Sequence, residues 1–231
     1  MKSILSKMMA IALCLMMYCT AAMAEKTDYK DKSYNFKTIK NLMLYDMDFS
    51  AAGLDSSIVE KNLQSIYEGK SSDSKLNILD SEQVLQKISL QTGQDMDLLQ
   101  EKDNAAYEKM YLEHMPEYVD AYVMGELLDY EKQNVYHDAY TSWETRTEHV
   151  QMKDSDGNWK TVEVSHEEPV YHPAYTTVEF DVIVEFHVYD SKSGKEIFSR
   201  RDARSRQDDT GKDMYARICG NFFSDFGRLA R

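Results

Sequence analysis

The chain has 231 residues, of which 27 are Lys or Arg and 40 are Asp or Glu, a formal net charge of −13. A surplus of that sign repels nucleic-acid backbones and anionic lipid headgroups and favours solubility. Only three cysteines are present, two of them within the first nineteen residues, which excludes a disulfide-stapled scaffold for the body of the chain.

Residues 1–24 have the three-part layout of a secretory signal peptide. Lys2 and Lys7 supply the positive start, and Met8 to Tyr18 is an apolar core too short for a stable membrane anchor. Ala22-Met23-Ala24 offers the small residues a signal peptidase needs, so cleavage after Ala24 is expected, with a periplasmic or secreted product. Cys19 raises the question of a lipid anchor, but Met16-Met17-Tyr18 lacks the small residues the lipoprotein peptidase prefers, and no anchor is expected. Removal of the leader leaves about 207 residues, enough for one sizeable core. It also leaves 25 basic against 40 acidic residues, and Cys219 as the lone thiol. No later hydrophobic run is long enough to be a transmembrane helix.

Residues 25–40 are polar and rich in Lys, Tyr and Asp and read as a flexible lead-in to a single domain over 41–231. Leu42-Met43-Leu44-Tyr45 is apolar on both faces, as suits a strand inside a sheet. Ser57 with Glu60 makes a capping box, and Val59, Leu63, Ile66 and Tyr67 follow at helical spacing up to Gly69. A short strand Lys75 to Leu79 comes next, then a helix capped by Asp80 and ended by Gly93, and a further helix from about Met96 to His114 before Pro116. Val119 to Leu128 reads as a central strand. The order β-α-β-α-α-β favours a mixed sheet with helices packed on it in two layers.

The character changes over about 130–175, which is polar and aromatic with little helical period. Asp156-Gly157 between the alternating segments Thr145–Met152 and Trp159–Val164 signals a β-hairpin, and Pro169 and Pro173 an extended connection. This stretch reads as an inserted aromatic-rich arm. Val178 to Val188 then alternates strictly, and Ser191-Lys192-Ser193-Gly194 turns it back into a strand over Lys195 to Arg206. Setting Asp190 against Lys195 places Glu185, Asp181 and Glu179 opposite Arg200, Arg204 and Arg206; a slip by one residue would turn those charges into the core. The chain closes with an amphipathic helix from about Lys212, striped with Met214, Tyr215, Ile218, Phe222, Phe223, Phe226 and Leu229.

Several groupings suggest chemistry and fall to simpler accounts. His166, Glu167, Glu168 and His172 lie in a proline-extended segment that separates the imidazoles, so solvated loop histidines are expected and no metal. Asp154-Ser155-Asp156-Gly157-Asn158 resembles a calcium loop, but its glycine comes early and Ser165 stands where a bidentate glutamate is required. Cys219 sits mid-helix beside an apolar stripe and reads as buried and inert. Nucleophile-elbow, Walker and dinucleotide motifs are absent, so no catalytic residue and no cofactor are assigned. Two clusters remain. Tyr136, Tyr140, Trp143, Trp159, Tyr171 and Tyr175 are candidates for contact with a protein partner or for a satellite core. Arg200, Arg204 and Arg206, with Arg201, are candidates for an anionic ligand or for pairing with the neighbouring strand.

The strand Leu42–Met47, the helix start Asn77-Ile78-Leu79-Asp80-Ser81-Glu82-Gln83, the run Tyr118-Val119-Asp120-Ala121-Tyr122-Val123-Met124-Gly125-Glu126, and the hairpin Val188-Tyr189-Asp190-Ser191-Lys192-Ser193-Gly194-Lys195 together resemble the CsgG-like and TolB amino-terminal superfamily of periplasmic domains. The resemblance spans most of Leu42 to Arg231 and implies a non-enzymatic envelope protein in assembly or scaffolding, partnered by another envelope protein or by itself. Two departures stand out. The lipid-bearing cysteine of many relatives is not convincingly present, and the inserted arm lacks the lipid-facing alternation of a channel hairpin. The rival reading is a binding module for a small anionic ligand or glycan, and an enzyme with a site drawn from distant residues ranks behind both.

Overall fold

A computed structural model describes residues 24–153, 155–207 and 210–231. The leader reading, with Cys14 and Cys19, lies outside the described residues, as does Asp154 of the calcium-like run. The chain divides into two units, one made of the residues up to Gln133 with Glu179–Arg231, the other of Asn134–Val178.

In the first unit the expected order is present with its last helix split in two, β-α-β-α-α-α-β. Strand β1 spans Ala24–Lys30, β2 Asn41–Leu44, β3 Asn77–Asp80, β4 Ala121–His137, β7 Tyr175–Asp190 and β8 Glu196–Gln207. They make a six-stranded sheet in the order β1-β8-β7-β4-β2-β3, with β5 and β6 reserved for the second unit. Strand β2 runs parallel to both β3 and β4. Helix α1 (Ser57–Ser71) makes the crossover from β2 to β3, and helices α2 (Ser81–Thr92), α3 (Met96–Lys102) and α4 (Asn104–His114) make the return to β4 on the other side of β2. Right-handed crossovers made in opposite directions must place their helices on opposite faces. This is why Leu42 and Leu44 pack with Leu63 and Tyr67 of α1, whereas Met43 packs with Val84, Ile88 and Tyr111 on the far side. Helices thus cover both faces at the parallel end of the sheet, one layer beyond the two expected.

Local chemistry sets the helix ends, with small shifts from the expected ones. Ser56, not Ser57, caps α1 by accepting from the Ile58 N–H, and the helix runs past Gly69 to Ser71. Asp80 caps α2 and Gly93 closes it at φ +67. The expected helix from Met96 to His114 is two helices, because Asp103 leaves helical geometry and caps α4 through the Ala106 N–H at 3.0 Å. Thr210 caps α5 (Gly211–Leu229), whose Met214, Tyr215, Ile218, Phe222, Phe223 and Phe226 are fully buried on the sheet. Phe222 stacks on Phe186 of β7 with centroids 4.0 Å apart. Helix α5 also passes the 3-10 turn Ser72–Ser74 so closely that a Cβ at Gly227 would lie 2.1 Å from the Ser74 carbonyl oxygen.

Two expectations are corrected here. Residues 25–40 are not a flexible lead-in: Ala24–Lys30 pairs antiparallel with β8 along its whole length, and Phe36 is buried. The segment is held by backbone pairing and by charge, neither of which local composition shows. Asp31 accepts from Lys195 and from Ser33, and those donors, Lys195 foremost, push its carboxyl well below the usual range. The β7–β8 register is the second correction. Asp190 does meet Lys195, and Tyr189 meets Glu196, but Val188 then meets Phe198. Ile197 is the extra residue of a β-bulge, which moves the pairing on by one from there. Glu185 therefore faces Arg201, at 3.0 Å, and not Arg200.

The second unit is a two-stranded antiparallel ribbon, β5 (Tyr140–Lys153) and β6 (Trp159–His172), turning near Gly157 at φ +82. Fourteen residue pairs run from Tyr140–His172 to Lys153–Trp159, about 45 Å of ribbon at the usual rise. It is longer than the hairpin expected, because β6 continues through Pro169 to His172.

Candidate functional site

The bulge at Ile197 decides the fate of the arginine cluster. With the register moved on, Arg200, Asp202 and Arg204 share the face of Phe186, Val184 and Val182, directly beneath α5. A buried charge is tolerated only when paired and hydrogen-bonded. Arg200, 3% exposed, meets this fully: its Nε and Nη2 donate to both oxygens of Asp28 on β1 at 2.8 and 2.9 Å. Its Nη1 lies 2.9 Å from Asp225 of α5 and donates to the Asn221 carbonyl at 3.3 Å. Lys26 of β1 also reaches Asp225, at 2.9 Å, and Arg228 contacts the same carboxylate. Burial alone would raise Asp225, but the hydrogen bonds from Lys26 and Arg228 and the charge of Arg200 outweigh it and hold the group at about 2. Asp202, fully buried, is held bidentately by Arg204 at 2.7 and 2.8 Å. Arg200 thus fastens β1 and the C-terminal helix α5 to the sheet, and the faces of Arg200 and Arg204 that would hold an anion are taken by carboxylates. Arg206 lies exposed near the end of β8.

Other candidates resolve as follows. The Cys219 thiol is fully buried and pushed up to about 12 by loss of solvation, so it is protonated and inert at neutral pH. His166 and His172 sit on strand β6, not on a loop. They share a face, but the alternation sends Glu167 to the other one. His166 meets Glu168 at 2.9 Å and His172 meets Ser142 at 2.8 Å. Among the described residues no group of three His, Cys, Asp or Glu side chains could hold a metal ion. An open crevice of about 450 Å³ at the carboxyl ends of β2 and β3 gathers Asp46, Glu68, Asp80 and Glu82. Gln64 there donates to Asp46 and Glu68, so these two of the four acids are tied together through its amide.

The aromatic candidates lie on the ribbon and its flanking strands. Residues directly opposite in an antiparallel pair share a face, so the register sorts the side chains of β5 and β6 into two sets. One face carries Trp143, Pro169 and Tyr171 near the open end and Trp159 near the turn, about 34 Å away. Trp143 and Tyr171 are each 67% exposed and Trp159 is 64% exposed, the last with the Lys153 ammonium 5.2 Å above its ring. The opposite face carries Tyr140, stacked on His172 at 4.4 Å, then the Arg146–Glu168 ion pair, then Val150, Met152, Val162 and Val164 near the turn. Tyr175 stacks on His137 at 4.6 Å, and Tyr136 is exposed. The six aromatic candidates therefore form no satellite core. They divide between stacked pairs (Tyr140, Tyr175) and rings standing in water (Tyr136, Trp143, Trp159, Tyr171). The valine patch was not singled out in the sequence; the alternation of Val150 on β5, and of Val162 and Val164 on β6, with polar neighbours is the signal that could have found it.

The fold defines a mixed-sheet α/β protein with an inserted β-hairpin and, among the described residues, no helix long and apolar enough to cross a membrane. No family model and no curated protein matches the chain. Among solved structures it is similar to the PelC dodecamer from Paraburkholderia phytofirmans, at a TM-score of 0.42 and 9% identity over 90% of this chain and 99% of that one. It is similar too to the lipoprotein GNA1162 from Neisseria meningitidis, at a TM-score of 0.36 and 8% identity over 81% and 98% of the two chains. Likenesses this distant assign neither a family nor a function.

Proposed function

We propose that this is an exported, non-enzymatic protein of the cell envelope that acts in assembly or scaffolding, binding another protein or itself through the hairpin Tyr140–His172. Export rests on the leader motif of residues 1–24. The observation that carries the binding role is the exposure of Trp143 and Tyr171, near one another on one face of the ribbon. An isolated two-stranded ribbon is marginal in water, and large aromatic side chains left wet are the usual mark of a surface that meets another protein. The anionic-ligand alternative loses its principal residues, since Arg200 and Arg204 are engaged by Asp28, Asp225 and Asp202.

The test is capture from the native envelope by the mature protein and by a Trp143→Ala/Tyr171→Ala variant. A partner recovered by the first and lost with the second, at unchanged melting temperature, supports the reading. Equal recovery by both, or no partner with either, overturns it.

A further inference from the structure

We infer that the core between α1 and α5 is a binding site for one water molecule, which bridges the hydroxyls of Tyr67 and Tyr215 beside the Cys219 thiol. The inference concerns the interior of the first unit and is independent of what the hairpin binds.

The site is made by two helices packed on one sheet. Tyr67 of α1 sets its ring 5.5 Å from Phe223 of α5 and 6.3 Å from Phe186 of β7. On α5, Tyr215, Cys219 and Phe223 follow one another at four-residue steps, so they share the helix face turned to the core. Tyr67, Tyr215 and Cys219 are all fully buried. The rings suit that place, but the hydroxyls do not. Neither has a hydrogen-bond partner among the described residues, and they are not bonded to each other.

The rest of the core treats its polar atoms differently. Tyr111, nearly as deep, donates to Met43 Sδ at 3.3 Å and accepts from Tyr45 at 3.2 Å. Asp202, buried beneath α5, has both oxygens held by Arg204. A buried hydroxyl left bare is destabilising, and here the two bare ones share a neighbourhood. Loss of solvation raises both phenols most, the charge of an ionised Cys219 comes next for each, and Tyr67 adds to Tyr215. The Tyr215 hydroxyl also approaches the thiol, without the alignment of a hydrogen bond.

The occupant follows from this chemistry. Two phenols and a protonated thiol are neutral, so they hold no ion. A water donates to one hydroxyl oxygen, accepts from the other, and still has a proton or lone pair for the sulfur. Internal waters take two to four polar partners, and three stand together here. Such a bridge is directional where ring packing is not, and it fixes how α5 is rotated against α1.

Urea unfolding of the protein with Tyr67→Phe, Tyr215→Phe and the pair together tests this, because the sign of the change decides. Each single variant should lower the folding equilibrium constant about five- to tenfold, since the water loses a partner. The double variant should lose no more than about the larger single loss, since the water then has nothing to bridge. A constant raised or unchanged in the single variants means bare hydroxyls and overturns the inference, as does a double loss equal to the product of the two single ones. A crystal structure of the protein should place one water oxygen within about 3.2 Å of both phenol oxygens. A direct Tyr67–Tyr215 hydrogen bond, or no water between the two, overturns the inference whatever the variants do.

Discussion

Helix α5 and the hairpin spend the same kind of residue in opposite ways. The stripe Phe222, Phe223 and Phe226 is fully buried against β7, β8 and α1, while Trp143, Trp159 and Tyr171 stand two-thirds in water. Aromatic content alone does not separate a core from a contact surface; the second layer does. A helix lying on a sheet has one, and the rings of the ribbon stand largely exposed. The first region stabilises the fold, and the second leaves its aromatic area exposed.

The sharpest way to break this contrast is paired truncation. Phe222→Ala should lower unfolding free energy by about 3–5 kcal/mol, by lost transfer energy and the cavity left beside Phe186. Trp143→Ala should stay within about 0.5 kcal/mol of wild type. Urea unfolding of the two variants compares them directly, and similar losses would mean that the ribbon is packed after all. A smaller effect is expected at the charged seam. Arg200→Ala takes the bidentate partner from Asp28 and one of three cations from Asp225, and should cost about 2–4 kcal/mol, moderated because Asp28 is partly exposed and Lys26 and Arg228 still reach Asp225. Amide exchange along β1 should then rise ahead of the other strands.

The smallest effect is the pH dependence. Asp225 is held at about 2 in the fold against an ordinary value near 4. A carboxylate depressed in the folded state contributes stability that is complete above its unfolded pKa and is lost as pH falls through the folded one. Stability from this group should therefore hold above about pH 4.5 and decline between about pH 4 and pH 2. Asp225→Asn should remove on the order of 1–2 kcal/mol of that slope, read from melting temperature against pH, and the hairpin truncation should leave the slope as it was.

Much of the architecture was legible in the sequence because it is local. Asp80, Gly93 and the alternation of Val178 to Val188 mark their elements through backbone geometry or strand period, and each stands close to where it was expected. The errors share a cause. The lead-in looked flexible because the partners that hold it, Arg200, Asp225 and Lys195, lie far along the chain. The strand register failed at Ile197, where two consecutive buried residues, Ile197 and Phe198, accommodate the bulge. That adjacency of apolar residues within an alternating strand was visible, but its consequence depended on whether carboxylates stood ready on β1 and α5. For the candidate site, exposure was the illegible part: Tyr140 and Trp143 look alike in sequence, and only pairing shows one stacked on His172 and the other bare.

The clasp of Arg200 on Asp28 carries a practical corollary for handling the protein. A protease cut, or a recombinant start placed beyond Lys30, would strip the outermost strand, uncover the backbone edge of β8, and leave a guanidinium lodged under α5 short of one of its two counter-ions. Such a shortened chain should be sticky, pairing its bared edge with whatever strand it meets. Residues 24–30 are therefore a poor place to trim.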